Sequence, residues 1–391
     1  MPTSQLDTSP ATRAPYGTGQ ILHSESVSEG HPDKVADFIA DSILDAHLTG
    51  DPHARVAVEV LCKGDRVILG GEIASRAEVD VDQVVRDALR EIGYTDDSIT
   101  FHADAVQVES LLSTQSRDIA RGVDQGGAGD QGIVFGYATA ETPEFMPLPL
   151  LLAHRITRML AEERKANGRD PAHPIDLKPD SKSQVGVRYD GEGRPVEVTD
   201  VLVSTHHGVR TSVPALAEYL RSDLLPRAMG PWFRTDLPLL VNPAGDFHSG
   251  GPEADCGVTG RKIVVDGYGS AARHGGGAFS GKDPTKVDRS GAYFARYAAR
   301  QVVQAGLAQR VEVRSAYAIG HPHALAVEAE TFGTGDPEEV RRFLADFDFG
   351  VGPILERLDL RRPIYRRTTN YGHFGRTDAE LPWEASSAPS S

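Results

Sequence analysis

The pattern that most limits the possible folds is an element order that occurs three times. Residues 31–48 place Val35, Phe38, Ile39, Ile43 and Ala46 on one face at helical spacing. Pro32 suits the first helical turn, and Asp33 suits the positive end of the helix dipole. Two strand-like runs follow, Arg55–Lys63 and Val67–Ile73, joined by Gly64-Asp65, which is a hairpin signal. A second helix is expected over 81–92, and a further strand over 99–108. The order then recurs as a helix at 147–166, strands at 185–189 and 196–205, and a helix at 213–225. It recurs again as a helix at 284–305, strands at 311–318 and 324–332, and a helix at 337–347. The hairpins begin near residues 55, 185 and 311, about 128 residues apart in a chain of 391. The copies share element order without visible sequence identity, so coincidence is the competing reading. Taken as a repeat, the order predicts an α+β fold of three similar units, each a sheet covered on one face by helices. The expected spans are a disordered leader at 1–17, units at 18–125, 126–250 and 251–384, and a disordered tail at 385–391.

Charge narrows the possible partners. Against 56 Asp and Glu there are 41 Lys and Arg, for a formal net charge of −15. That balance disfavours nucleic acid, whose affinity rests on broad positive surface. It leaves room for a small anionic ligand if cations are concentrated in one pocket. Cys62 and Cys256 are far apart with no CxxC spacing, so neither a disulfide framework nor a zinc site is indicated, and they read as buried or incidental thiols. No apolar run approaches the ~20 residues of a membrane span. The first 17 residues lack an apolar signal-peptide core, so the expected location is the cytoplasm, with no membrane partner.

One stretch does concentrate cations. Gly260–Ser290 holds Arg261, Lys262, Lys282 and Lys286, the triplet Gly275-Gly276-Gly277, and Asp288. Glycines admit an anion close to backbone amides, lysines add charge, and a carboxylate can hold Mg²⁺ against phosphate oxygens. A polyphosphate site is the expectation. GGAFSGKD, from Gly276 to Asp283, fits P-loop spacing, but Asp283 stands where Ser or Thr should hold Mg²⁺, and no strand leads directly into it. GAGDQG, from Gly127 to Gly132, fits G-x-G-x-x-G without a preceding strand, which is weak support for a dinucleotide site. HGGG at His274–Gly277 resembles an esterase oxyanion loop, yet no G-x-S-x-G nucleophile elbow accompanies it.

Other candidates are dispersed. His31, Asp33 and Lys34 at a helix start read either as an anion site or as a capping turn. Glu59 shares a strand face with Ala57 and Leu61; it either holds a cation or faces solvent at a sheet edge. Asp180 and Lys182 precede a strand. Phe247, in a glycine-rich loop, either stacks on a base or simply packs.

These stretches together resemble the S-adenosylmethionine synthetases. The likeness lies in SESVSEGHPDKVA (Ser24–Ala36), GGEI (Gly70–Ile73), GAGDQGIVFGYA (Gly127–Ala138), KPDSKSQV (Lys178–Val185), DCGVTGRKIVV (Asp255–Val265), ARHGGGAFSGKDPTKVDRS (Ala272–Ser290) and YGHFG (Tyr371–Gly375). They run in the family's order and cover nearly everything from about 20 to 384. The resemblance implies three α+β domains related by pseudo-threefold symmetry, each discontinuous in sequence. It implies transfer of the adenosyl group of ATP to the sulfur of L-methionine, followed by hydrolysis of tripolyphosphate. It places His31, Lys182, Arg261, Lys262, Lys282 and Lys286 around the triphosphate, Asp180 at the ribose and Phe247 on adenine. Methionine would lie among Glu72, Gln115, Asp255, Lys286 and Ile319. Mg²⁺ would sit on Asp33 and Asp288, and K⁺ at Glu59. Homodimers or homotetramers with active sites between subunits are implied.

This chain departs from the pattern twice. Only Gln125-Gly126 separates Gly122-Val123-Asp124 from Gly127, where many members carry a longer lid. Asp246 stands where many have Arg, and His248 and Ser249 where many have apolar residues. A specialised enzyme with relaxed methionine-analogue or nucleotide preference, a catalytically silent subunit, and a phosphohydrolase or kinase are the alternatives.

Overall fold

The computed structural model describes residues 19–96, 99–114, 127–167, 173–377 and 380–385. The expected leader, the end of the expected tail, the short lid and Gln115 lie outside the described residues. Three sheets carry the fold. The first has the order β4-β3-β2-β9, built from β2 (Arg55–Lys63), β3 (Arg66–Ala74), β4 (Gln107–Thr114) and β9 (Gly257–Val258). The second is β1-β6-β7-β8, from β1 (Ile21–Val27), β6 (Leu177–Tyr189), β7 (Pro195–His207) and β8 (Leu239–Val241). The third is β11-β10-β5, from β5 (Gly132–Thr139), β10 (Arg310–Tyr317) and β11 (Ala326–Glu330). Antiparallel pairing carries β1 onto β6 and β5 onto β10, so each of these sheets draws strands from distant parts of the sequence.

Helices cover the sheets. Helix α1 (Pro32–Gly50) packs on β2 and β9 and α2 (Val81–Ile92) packs on α1, while α3 (Leu148–Asn167) packs with β1 and β6, and the 18-residue α7 (Val287–Gln304) with β5 and β10. Between them in sequence come α4 (Val213–Tyr219), α5 (Leu225–Met229) and the one-turn α6 (Ile263–Asp266). The chain closes with α8 (Pro337–Leu344) and α9 (Val351–Arg357). One apolar core runs through the first and third units together, and the central unit has its own.

Several local expectations are corrected. The strand expected at 99–108 is β4, starting at Gln107; Phe101, Ala103 and Val106 instead plug the core from an irregular turn, tied by the Ala103 amide to the Tyr94 carbonyl. Asp180 and Lys182, expected ahead of a strand beginning at 185, lie within β6 itself, which starts at Leu177. Its pairing with β7 shifts register between Leu177 and Ser181, where Pro179 has no N–H to give the ladder. The helix over 213–225 is interrupted by a π-helical turn at Leu220–Leu224, next to Pro226, which cannot donate to the preceding turn.

The feature that positions the site is a buried acidic stripe on α1. Asp33, Asp37, Asp41 and Asp45 recur every fourth residue and so share one face, and all are buried. Each grips a remote loop by its backbone. Asp33 accepts from the Val258 amide at 3.0 Å, Asp37 from Gly260 at 2.9 Å, Asp41 from Gly281 at 2.8 Å and Asp45 from Tyr365 at 3.0 Å. Buried carboxylates require such partners. Lys34 adds a buried pair of contacts, to Asp37 at 2.9 Å and Asp266 at 2.5 Å. Burial opposes its charge, but the two carboxylates outweigh burial and hold the ammonium above its usual range. The cationic stretch 260–290 is thereby stapled along α1.

Candidate active site

At the start of α1, His31 caps the helix, its Nδ1 accepting from the Asp33 amide at 3.2 Å. The capping reading of this turn holds, and four cations lie close enough to act on the cap. Lys262 Nζ stands 2.6 Å from Asp33 Oδ2, and Arg261 Nε stands 3.5 Å from Oδ1. Burial, then the charges of Lys262, Lys182, Lys34 and Arg261, push the His31 imidazole down to about 2. It is neutral at working pH.

A second group of charges gathers where β2 meets the start of α7. Lys282 Nζ contacts Asp288 Oδ2 at 2.5 Å at the start of α7, and Lys282 also bridges backbone to Ala57 on β2. Glu59 projects from the same face of β2 as Ala57, in the field of Lys282 and beside the Thr259 hydroxyl. Glu59 is exposed, yet partial desolvation pushes its carboxyl up against the pull of Lys282. Lys286 forms a very short contact with Asp283, which is fully buried and also accepts from the Val56 amide at 2.7 Å and from the Thr285 hydroxyl at 2.6 Å. Asp283, the residue that spoils the P-loop match, is thus the anchor that holds Lys286 to β2. The HGGG turn is a spacer for these groups. A side chain at Gly277 would meet Asp288 Oδ1 at 2.3 Å, one at Gly275 would meet the Ile133 carbonyl at 1.6 Å, and Gly276 has φ +95°.

Asp180 and Phe247 meet a common turn at Gly250-Gly251. The Gly251 amide donates to Asp180 Oδ2 at 2.9 Å, while the buried Oδ1 has no partner within the chain. Burial pushes this carboxyl up to about 6. Phe247 stacks on His206, ring centroids 5.5 Å apart, with one edge against Gly250. Lys182, on β6 opposite Val27, is exposed, and its side chain makes no hydrogen bond or ion pair among the described residues. Asp255 is exposed but its charge reaches Asp180.

The structure therefore brings together His31, Asp33, Lys182, Arg261 and Lys262, then Glu59, Lys282, Lys286 and Asp288, with Asp180, Asp255 and Phe247 alongside. It leaves Glu72 half-buried on β3 opposite Ala57, and Ile319 exposed beyond the end of β10, bridged to Ala128. The residues missed in the sequence are Asp37, Asp41, Asp283 and Asp266. A signal existed for the first two: aspartate at every fourth position of an apolar helix has no use for solvent.

Comparison with known proteins decides what this arrangement belongs to. Residues 20–117 match the S-adenosylmethionine synthetase N-terminal domain, 125–247 the central domain and 249–385 the C-terminal domain. The chain belongs to the S-adenosylmethionine synthetase family. It is 49% identical to the S-adenosylmethionine synthase of Akkermansia muciniphila, over 94% of this chain and 95% of that one. It is 50% identical to that of Desulforudis audaxviator (93% and 95%), and 47% identical to that of Corynebacterium urealyticum (93% and 96%). The fold is the family's three-domain α+β arrangement.

The residues suit the metal ions that the resemblance implies. Asp33 and Asp288 offer hard oxygen donors already beside lysines that phosphate could claim, which is how Mg²⁺ is usually shared between one or two carboxylates and a polyphosphate. Glu59 is an exposed carboxylate beside the Thr259 hydroxyl, an oxygen donor of the kind a monovalent cation takes.

His31 carries a pH signature. Its proton is held in the unfolded chain below about pH 6.5 but not in the folded one until about 2. Stability therefore falls as pH drops through this window. Replacing His31 by Asn is expected to flatten the decline, by about 1.4 kcal/mol per pH unit below 6.5. Urea midpoints at pH 7 and pH 5.5 check this, and identical slopes for both proteins would refute it.

Proposed function

We propose that this chain is a methionine adenosyltransferase. The methionine sulfur attacks C5′ of ATP in line, the S–C5′ bond forms, the C5′–O bond breaks, and tripolyphosphate leaves whole. Water then cleaves a phosphoanhydride bond to give pyrophosphate and phosphate. One observation carries this reading: in a chain whose net charge is −15, Lys182, Arg261 and Lys262 surround His31 at the start of α1, and Asp41 farther along the same helix holds the turn that carries Lys282. The thioether has no proton to lose, so no general base is required. What the reaction demands is alignment and stabilisation of a highly anionic leaving group.

Each residue then has a role. Lys182, Lys262, Lys282, Lys286 and Arg261 meet phosphate oxygens. When the triphosphate enters, Lys262 and Lys282 exchange Asp33 and Asp288 for phosphate. Neutral His31 donates or accepts a hydrogen bond near the leaving oxygen without adding to the positive field. The unpartnered Asp180 Oδ1 accepts from a ribose hydroxyl, and Phe247 stacks on adenine. Mg²⁺ on Asp33 and Asp288 would neutralise phosphate charge, and K⁺ at Glu59 would brace the cleft wall. Glu72, Gln115, Asp255, Lys286 and Ile319 would form the methionine pocket. Exposed apolar residues at Leu111 (62%), Ile133 (54%) and Ile319 (65%) favour a homodimer or homotetramer that covers these faces and completes the site from a second copy.

The test is incubation of the chain with ATP, L-methionine, Mg²⁺ and K⁺, with assay of S-adenosylmethionine and phosphate. Methionine-dependent formation of both is expected. ATP hydrolysis indifferent to methionine would overturn the reading.

A further inference from the structure

Phe247 lies within Asp246-Phe247-His248, and the reaction proposed above leaves the two polar members without a task. They are also positions at which the sequence departs from the pattern it resembles. In the fold they meet His207, the last residue of β7. One ligand-capable atom from each of His207, Asp246 and His248 lies within 4.8 Å of the others. The two imidazoles stand edge to face, centroids 4.7 Å apart. His207 is fully buried and its partners set its tautomer. Nδ1–H donates to the Gly208 carbonyl at 3.2 Å, and Nε2 accepts the Phe247 amide N–H at 3.2 Å. A histidine whose Nδ1–H is held by a backbone carbonyl presents Nε2 in the way metal-binding histidines usually do. Asp246 and His248 are exposed, and among the described residues their side chains make no hydrogen bond or ion pair.

We propose that His207, Asp246 and His248 form a binding site for a divalent transition-metal ion of the zinc class. Two imidazoles and one carboxylate favour zinc and its neighbours over Mg²⁺ or Ca²⁺, which take oxygen donors. Around a tetrahedral ion such ligand atoms stand on the order of 3.4 Å apart. Closing from 4.8 Å asks only a small swing of two unrestrained surface side chains. Three protein ligands leave a position for water. Coordination has a consequence for the loop. Nε2 of His207 is the acceptor for the Phe247 amide, so a metal ion takes that bond away and holds Phe247 from both flanks instead. Metal occupancy thereby resets the aromatic platform. This last link rests on the adenine role proposed for Phe247, whereas the metal site does not.

The experiment uses the full chain equilibrated with Zn²⁺ in the presence of excess Mg²⁺, with retained zinc measured by atomic emission. Co²⁺ is the spectroscopic probe, read by its visible d–d absorption. Wild type is expected to retain one equivalent of zinc. Asp246→Ala and His248→Ala should each weaken binding at least ~10-fold, and the double variant should lose the cobalt band. Both residues are exposed, so unchanged thermal midpoints check that the variants remain folded. Wild type that retains no zinc, or variants that bind it as wild type does, would overturn the site. A second arm measures the affinity of a non-hydrolysable ATP analogue with and without Zn²⁺. A zinc-dependent change in wild type that the double variant lacks supports the link to Phe247, and equal affinities throughout overturn that link alone. Loss of adenosyl transfer in the functional assay would leave the zinc result standing.

Discussion

Lys182→Met is expected to lower the rate of S-adenosylmethionine formation at least ~100-fold while leaving the thermal midpoint unchanged, the order lost when one preorganised electrostatic stabiliser is removed. Lys182 is the cleanest of the five cations for this purpose. It rises from the interior of β6, so its position is set by the sheet, yet it is exposed and makes no ion pair among the described residues. Nothing in the folded chain loses a partner when its charge goes. Lys286→Met is a poorer probe, because it removes the cation from the fully buried Asp283 and disturbs stability along with rate. Steady-state rates with saturating ATP and methionine, beside thermal melts, read the two effects apart. A Lys182→Met enzyme that turns over at nearly the wild-type rate would remove Lys182 from the triphosphate.

Arg289→Met is expected to destabilise the protein by about 3–5 kcal/mol, because it strands the Asp41 carboxylate in the interior. Arg289 and Asp41 are both wholly buried and pair bidentately at 2.7 and 2.6 Å. The guanidinium also donates to the Lys282 carbonyl at 3.1 Å and lies over the Tyr365 ring at 4.3 Å. Asp41 in turn holds the Gly281 amide. The pair therefore fixes the turn that carries Lys282, and rate should fall along with stability. The double replacement Arg289→Met with Asp41→Leu removes both charges and is expected to recover most of the stability, since an apolar pair can replace a buried ion pair of similar volume. It should not recover the rate, because the Gly281 anchor is gone. Urea unfolding of the three variants decides this. A single variant within 1 kcal/mol of wild type would show that water or rearrangement compensates Asp41.

Much of this molecule follows from local chemistry. The helix at α1, the hairpin β2–β3 and the helix at 81–92 are legible because their apolar residues keep a period that only one secondary structure satisfies. The concentration of cations in 260–290 is visible by residue type alone, and the family is visible in its motifs. Strands β1 and β5 are harder. SESV and GIVFGYA are polar or glycine-interrupted, and they become strands because β6 and β10, both distant in sequence, supply the opposite edge. The zinc-class cluster was equally hidden, since His207 and Asp246 meet only after β7 and the 242–251 loop fold together. The sequence had argued against a zinc site from its cysteines, which are indeed free; the ligands proposed here are imidazole and carboxylate.

The sequence by itself determined the three-unit α+β plan and the clustering of cations in 260–290, because these rest on periodicity and charge, which are properties of short stretches. Tertiary structure alone decided which carboxylates are anchors and which remain for ligands. Asp37, Asp41 and Asp283 spend their lone pairs on backbone amides and neighbouring cations, whereas one oxygen of Asp180 is buried without a partner in the chain. An aspartate's role depends on what faces it once water is excluded, and that is settled by residues as far as 321 positions away.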